Sequence, residues 1–180
     1  MSVDLDPVNS PEAYRRSLLA ALGDDDPAAV QASTPALLRA LVADAGDALR
    51  IAPAAGEWSV VECLAHLVDG ELVVSARSRW LLAEDEPDIV GYDQDLWVSR
   101  LGQAGEDADT LLSVFEALRR WNLALWARTP VADRARIGRH RERGPESYEL
   151  TFRLAAGHDR IHLAQARRAL ETARTSGVAN

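Results

Sequence analysis

Apolar residues along this chain recur at three- and four-residue intervals, the spacing that gathers them on one face of an α-helix. Ser10 followed by Pro11 predicts an N-cap with proline in the first turn. The helix it opens carries Tyr14, Leu18, Leu19 and Leu22, and Gly23 with the run Asp24-Asp25-Asp26-Pro27 ends it. A second helical segment covers about residues 27–50, with Leu37, Leu38, Leu41, Val42, Ala45 and Leu49 in register and a break or kink near Pro35. Pro53 and Gly56 mark a connection over residues 51–57. Ser59 with Glu62 forms a capping box that starts a long helix reaching about residue 83. Residues 107–128 are helical again, striped by Leu111, Leu112, Phe115, Leu118, Leu125 and Trp126. An arginine-rich polar loop at 134–145 precedes a last helix over residues 147–172.

The stretch 84–105 breaks the pattern with Pro87, Gly91, Gly102 and Gly105. It is far longer than the usual connection of about 4–6 residues, so it either holds a short helix near residues 95–101 or serves as a crossover or lid. No strand alternation runs beyond a few residues, and no repeat or low-complexity block appears. The fold class is all-α, with four main helices and a short N-terminal one. The expected organisation is an N-terminal extension at 1–26, the helical domain at 27–173 and a C-terminal tail at 174–180.

Composition narrows the function classes. The 180 residues carry 20 basic and 28 acidic side chains, a net charge of −8, which disfavours a nucleic-acid coat or a polybasic membrane anchor. Every basic residue is arginine, a bias of a GC-rich bacterial genome rather than of a function. Cys63 stands alone, so neither an internal disulfide framework nor a cysteine-cluster zinc site is available. Without a visible signal peptide or an apolar run of membrane-spanning length, the expected location is cytoplasmic.

Four histidines are the remaining chemical resource. On the last helix His158 and His162 stand four apart and stack on one face, beside the leucine stripe and away from Arg153, Arg160 and Arg167. Two imidazoles one turn apart can converge on one metal ion. On the helix of residues 59–83, Val61, Leu64, Val68 and Leu72 make the apolar arc. His66 falls nearly opposite, in a stripe with Glu62, Asp69, Val73, Arg77 and Trp80. Periodicity leaves two readings open for it: a solvated face, or the wall of a wet cleft between helices. His140, inside Arg139-His140-Arg141-Glu142-Arg143, reads as a surface-loop residue.

Trp58-Ser59-Val60 with Glu62, Leu64, His66-Leu67 and Glu71 resembles the second-helix signature of the DinB/YfiT-like superfamily. The segment from Gly157-His158-Asp159 through His162 to Gln165 resembles its last-helix signature, and Tyr92-Asp93-Gln94-Asp95, Trp97 and Arg143-Gly144-Pro145 fall between them as in that family. The resemblance covers about residues 35–169. It implies a four-helix bundle of up-down-down-up topology with a long crossover after the second main helix. It also implies a divalent metal, zinc or nickel, held by His66, His158 and His162. A homodimer is a further expectation of the family.

Three histidine ligands leave an open coordination position, the pattern of catalytic rather than structural zinc. Such a position can activate a water or deprotonate a thiol. The family includes transferases that use a low-molecular-weight thiol of the mycothiol or bacillithiol type, so transfer of that thiol to a small electrophile is the leading expectation. Metal-dependent hydrolysis of a small substrate, or a non-catalytic metal-binding or dimerisation module, are the alternatives. Spacing nominates helpers for the site. Glu62 and Asp69 flank His66 and could take its second N–H, or could be solvated acids. Gln165 could reach His162 or simply pack; Tyr92, Asp93 and Asp95 could fold over the site from the crossover or cap the following helix.

Overall fold

The structure is a computed structural model and describes residues 10–177. Six helices and three short strands follow in the order α1 (Pro11–Leu22), α2 (Pro27–Ala45), α3 (Val60–Ala83), β1 (Asp88–Ile89), α4 (Gln94–Arg100), α5 (Ala108–Arg128), β2 (Ile137–His140), β3 (Gly144–Ser147) and α6 (Tyr148–Gly177). Helices α2, α3, α5 and α6 form the up-down-down-up four-helix bundle, with the crossover of β1 and α4 joining α3 to α5. Helix α3 packs chiefly on α5 and α6, and α2 on the same pair, while α1 lies along α6. The helical part of the expected tail, residues 174–177, continues α6; residues 178–180 fall outside the described chain.

Local chemistry sets most of these boundaries. Asp26 caps α2 by accepting from the backbone N–H groups of Ala28 and Ala29, and the Ser59–Glu62 box caps α3 from both sides. Asp107 caps α5 through Thr110 N–H at 2.9 Å. Pro35 does not end α2. Its missing N–H leaves the Gln31 carbonyl without an intrahelical partner, and Arg119 from α5 donates to that carbonyl at 3.0 Å. The core between the helices gathers Leu38, Val61, Leu64, Leu67, Leu112, Phe115 and Leu163. A second cluster joins Leu41, Val60, Cys63, Ala166 and Leu170.

Residues 134–145, expected as an arginine-rich loop, instead supply most of a small three-stranded sheet. Strand β1 runs parallel to β2, pairing Ile89 with His140, and β2 pairs antiparallel with β3. The inward residues of β2 are Gly138 and His140, so the strand alternates in burial without alternating in hydrophobicity. Gly138 is required by close approach: a Cβ there would lie 2.7 Å from the Pro87 carbonyl. Helix α1 meets α6 just as closely, because a Cβ on Gly157 would sit 1.9 Å from the Leu18 carbonyl.

Candidate metal centre and adjoining cavity

Helix α3 brings His66, and successive turns of α6 bring His158 and His162, to one point in the bundle. One ring nitrogen from each lies within 4.8 Å of the others. The Nε2 atoms of His66 and His158 are 2.9 Å apart, and the His66 ring centroid is 4.4 Å from that of His162. His66 and His162 are buried and His158 is half-buried. His66 and Arg77 in the polar stripe on α3 are therefore interior, the cleft reading of the two left open by periodicity, while Trp80 at the end of the stripe is exposed. Leu72, placed on the apolar arc by the helical wheel, is instead exposed.

Burial depresses the pKa of all three imidazoles. His158 is pushed down to about 4, by burial first and then by Arg119 and Arg77. His66 and His162 are likewise held well below the ordinary histidine value, again by burial first, with neighbouring imidazoles adding to it. Each is thus a neutral ring with a lone pair to give near pH 7. The His162 Nδ1–H donates to Gln165 Oε1 at 2.8 Å, which leaves His162 Nε2 as the free donor atom. Three neutral nitrogens packed this closely cannot all satisfy one another by hydrogen bonding, and a borderline-soft divalent cation fits the set.

Aromatic rings close the site. Trp58 lies 4.9 Å from His66 and stacks at 5.9 Å on His162, and Tyr92 reaches over from the crossover to 6.5 Å from His66. Tyr92 is braced by Trp97 at 4.5 Å, and burial raises its hydroxyl pKa, so it is a neutral phenol. Gly70 makes room beside the triad, since a Cβ there would stand 3.2 Å from His158 Cε1.

The other residues nominated from spacing are occupied elsewhere. Glu62 is consumed by the cap of α3, where its carboxylate takes the Ser59 N–H at 2.8 Å and the Ser59 hydroxyl at 2.6 Å. Asp69 accepts from the Gln103 side chain and is half-buried, burial raising its pKa. Neither carboxylate bonds His66. Asp93 caps α4 through Leu96 N–H at 2.9 Å while also lining the cavity described next. Cys63 lies in the core, its thiol pushed up to about 12 by burial, and is not among the converging ligand atoms.

Beside the triad a cavity of about 180 Å³ opens, with His158 and Tyr92 in its wall. Its apolar side includes Leu18 of α1 and Leu154 of α6, so the N-terminal helix helps build the site. His140, expected on a surface loop, is 4% exposed and lines this cavity, because β2 turns it inward. Its Nδ1 lies 2.9 Å from the Glu142 carboxylate. Beneath the cavity, Arg119 is buried between Glu71 at 2.7 Å and both carboxylate oxygens of Asp159. Thr34 and Asn122 complete that network.

The family model of the DinB superfamily matches residues 28–166. The chain belongs to the DinB superfamily. Among curated relatives, this DinB chain is 30% identical over 132 residues to a protein of Oceanobacillus iheyensis named "Putative metal-dependent hydrolase", covering 72% of this chain and 76% of that one. A Geobacillus thermodenitrificans protein of the same name is 30% identical over 97 residues, of which the chain covers 54% of the relative's length. The solved structure of YfiT from Bacillus subtilis, described as "a probable metal-dependent hydrolase with an unusual four-helix bundle topology", superposes with a TM-score of 0.72. That match spans 92% of this DinB chain and 89% of YfiT at 21% identity, and carries the fold. No helix among the described residues is long and apolar enough to cross a membrane.

Proposed function

We propose that this DinB-superfamily chain binds one divalent cation, zinc or nickel, through His66, His158 and His162, and uses it to activate a nucleophile against a small electrophilic substrate. The observation that carries this reading is the convergence of three buried neutral imidazoles beside a cavity. When bound, the cation would supply Lewis acidity and lower the pKa of whatever acid occupies its open position. The chain's own residues do the rest. Gln165 holds His162 in the tautomer that offers Nε2, Trp58 shields the triad from water, and the Tyr92 phenol supplies a neutral donor over it.

A low-molecular-weight thiol of the mycothiol or bacillithiol type is the nucleophile this arrangement favours. Hydrolysis calls for a base to take a proton from water, and the carboxylates at the cavity are engaged: Glu71 and Asp159 by Arg119, Asn122 and Thr34, Glu146 by Arg143, Glu142 by His140, and Asp93 by the cap of α4. A thiol starts from a pKa of about 8.5 and needs no such base. Hydrolysis remains the second reading, supported by the names of the curated relatives. Elemental analysis of tag-free protein is expected to find about one divalent metal per chain, lost in His158→Ala. Loaded protein given a thiol and chlorodinitrobenzene should form the conjugate. Thiol-independent turnover of an ester or amide would instead favour hydrolysis, and a metal-free protein that binds none on reconstitution would refute the site.

A further inference from the structure

The cavity beside the histidines has unequal charges along its wall. Glu71 and Asp159 are paired with Arg119 and Glu146 with Arg143, while Glu142 lies against the neutral His140 ring and Asp93 caps α4. Arg77 is different. It is 8% exposed, donates one bond to the Val90 carbonyl at 2.8 Å, and forms no ion pair among the described residues. Its Nε is buried without a hydrogen-bond partner. The Nε2 of His140, at the same cavity, is equally buried and unpartnered. Two unmet polar atoms in one cavity wall are uncommon in a folded protein, where buried polar groups are paired. Both are explained if a ligand completes them.

We propose that this cavity is a carboxylate-selective pocket, in which the Arg77 guanidinium holds the carboxylate of a small, otherwise apolar ligand and His140 Nε2 makes a second polar contact. A guanidinium matches a carboxylate in geometry as well as charge, and here no carboxylate hydrogen-bonds it among the described residues, Glu146 acting on it only at a distance. The remaining wall, with Leu18, Val73, Val74 and Leu154, suits an apolar body. The volume of about 180 Å³ holds a molecule of only a few carbons. His158 in the wall sets the far end of that ligand beside the triad. Identifying the ligand as the substrate rests on the enzymatic reading above; the pocket's selectivity does not.

The test measures hexanoate, hexanamide and inorganic phosphate binding to the full-length protein by calorimetry, both metal-loaded and after chelation. Hexanoate is expected to bind about tenfold tighter than hexanamide in both states. Arg77→Gln should bring the two affinities to parity, and Arg77→Lys, which keeps the charge, should retain part of the preference. Equal affinities in the native protein would overturn the proposal. So would a preference that disappears on chelation, since the carboxylate would then be on the metal. Phosphate binding tighter than hexanoate would also overturn it. Because the chelated protein is measured, loss of the catalytic reading leaves this result intact.

Discussion

Gln165 accepts the Nδ1–H of His162 at 2.8 Å, one turn further along the same helix. That single bond decides which nitrogen of His162 carries the proton and therefore which can bind a metal. Removing it with Gln165→Leu frees the ring to change tautomer and rotate. Metal affinity is expected to fall about 10- to 100-fold while the metal-free melting temperature changes little. Competition with a chromophoric chelator measures the first and calorimetry the second; unchanged affinity would remove Gln165 from the site.

Acid should unfold the metal-free protein. His158 and His140 are both depressed from 6.5 to about 4, and His66 and His162 lie lower than ordinary histidines as well. In that window the unfolded chain binds more protons than the folded one, so stability falls as pH falls. The contribution of the neutral, buried rings is fully present above about pH 6.5 and is lost progressively toward pH 4. Melting curves of metal-free protein at pH 7, 5.5 and 4.5 should show a steady decline. A flat profile over that range would mean the rings are solvated.

Gly157→Ala poses a clean question of sign. In a free helix the change gains about 1 kcal/mol. Here the new Cβ would lie 1.9 Å from the Leu18 carbonyl, so α1 must move off α6. Overpacking of this kind costs about 1–3 kcal/mol, and backbone cannot yield as a side-chain tip can. The expected net result is destabilisation, together with weaker ligand binding because Leu18 lines the cavity. A stabilised variant with unchanged binding would show that α1 is an appendage.

The helices and two of the three converging histidines were legible because they follow the 3.6-residue period and cap chemistry. His66 was ambiguous for a physical reason. A hydrophobic wheel separates apolar from polar faces, and α3 carries buried residues on both; around His66 its polar face looks into the site rather than into water. His140 and Arg77 escaped for related reasons. The burial of His140 comes from pairing with β1 residues fifty positions away, along a strand whose inward positions are glycine and histidine. Arg77 reads as a solvated arginine until the crossover covers it at Val90. Gly70 and Gly157 carry no side-chain signal, and only the measured approach to His158 and Leu18 reveals them.

Arg119 holds two carboxylates that would otherwise stand buried and unpaired. Its pKa is held above the ordinary arginine value: burial lowers it, and Asp159 and Glu71 outweigh that effect. Arg119→Met removes the only cation paired with them among the described residues and also frees the Gln31 carbonyl left open by Pro35. The loss of stability is expected to be about 3–5 kcal/mol. Adding Glu71→Gln and Asp159→Asn to that variant should recover a large part, because neutral amides tolerate burial better than isolated charges. Urea denaturation of the single and triple variants measures both steps. If the triple variant is no more stable than Arg119→Met, the penalty comes from lost packing and the Gln31 carbonyl, and the charge argument fails.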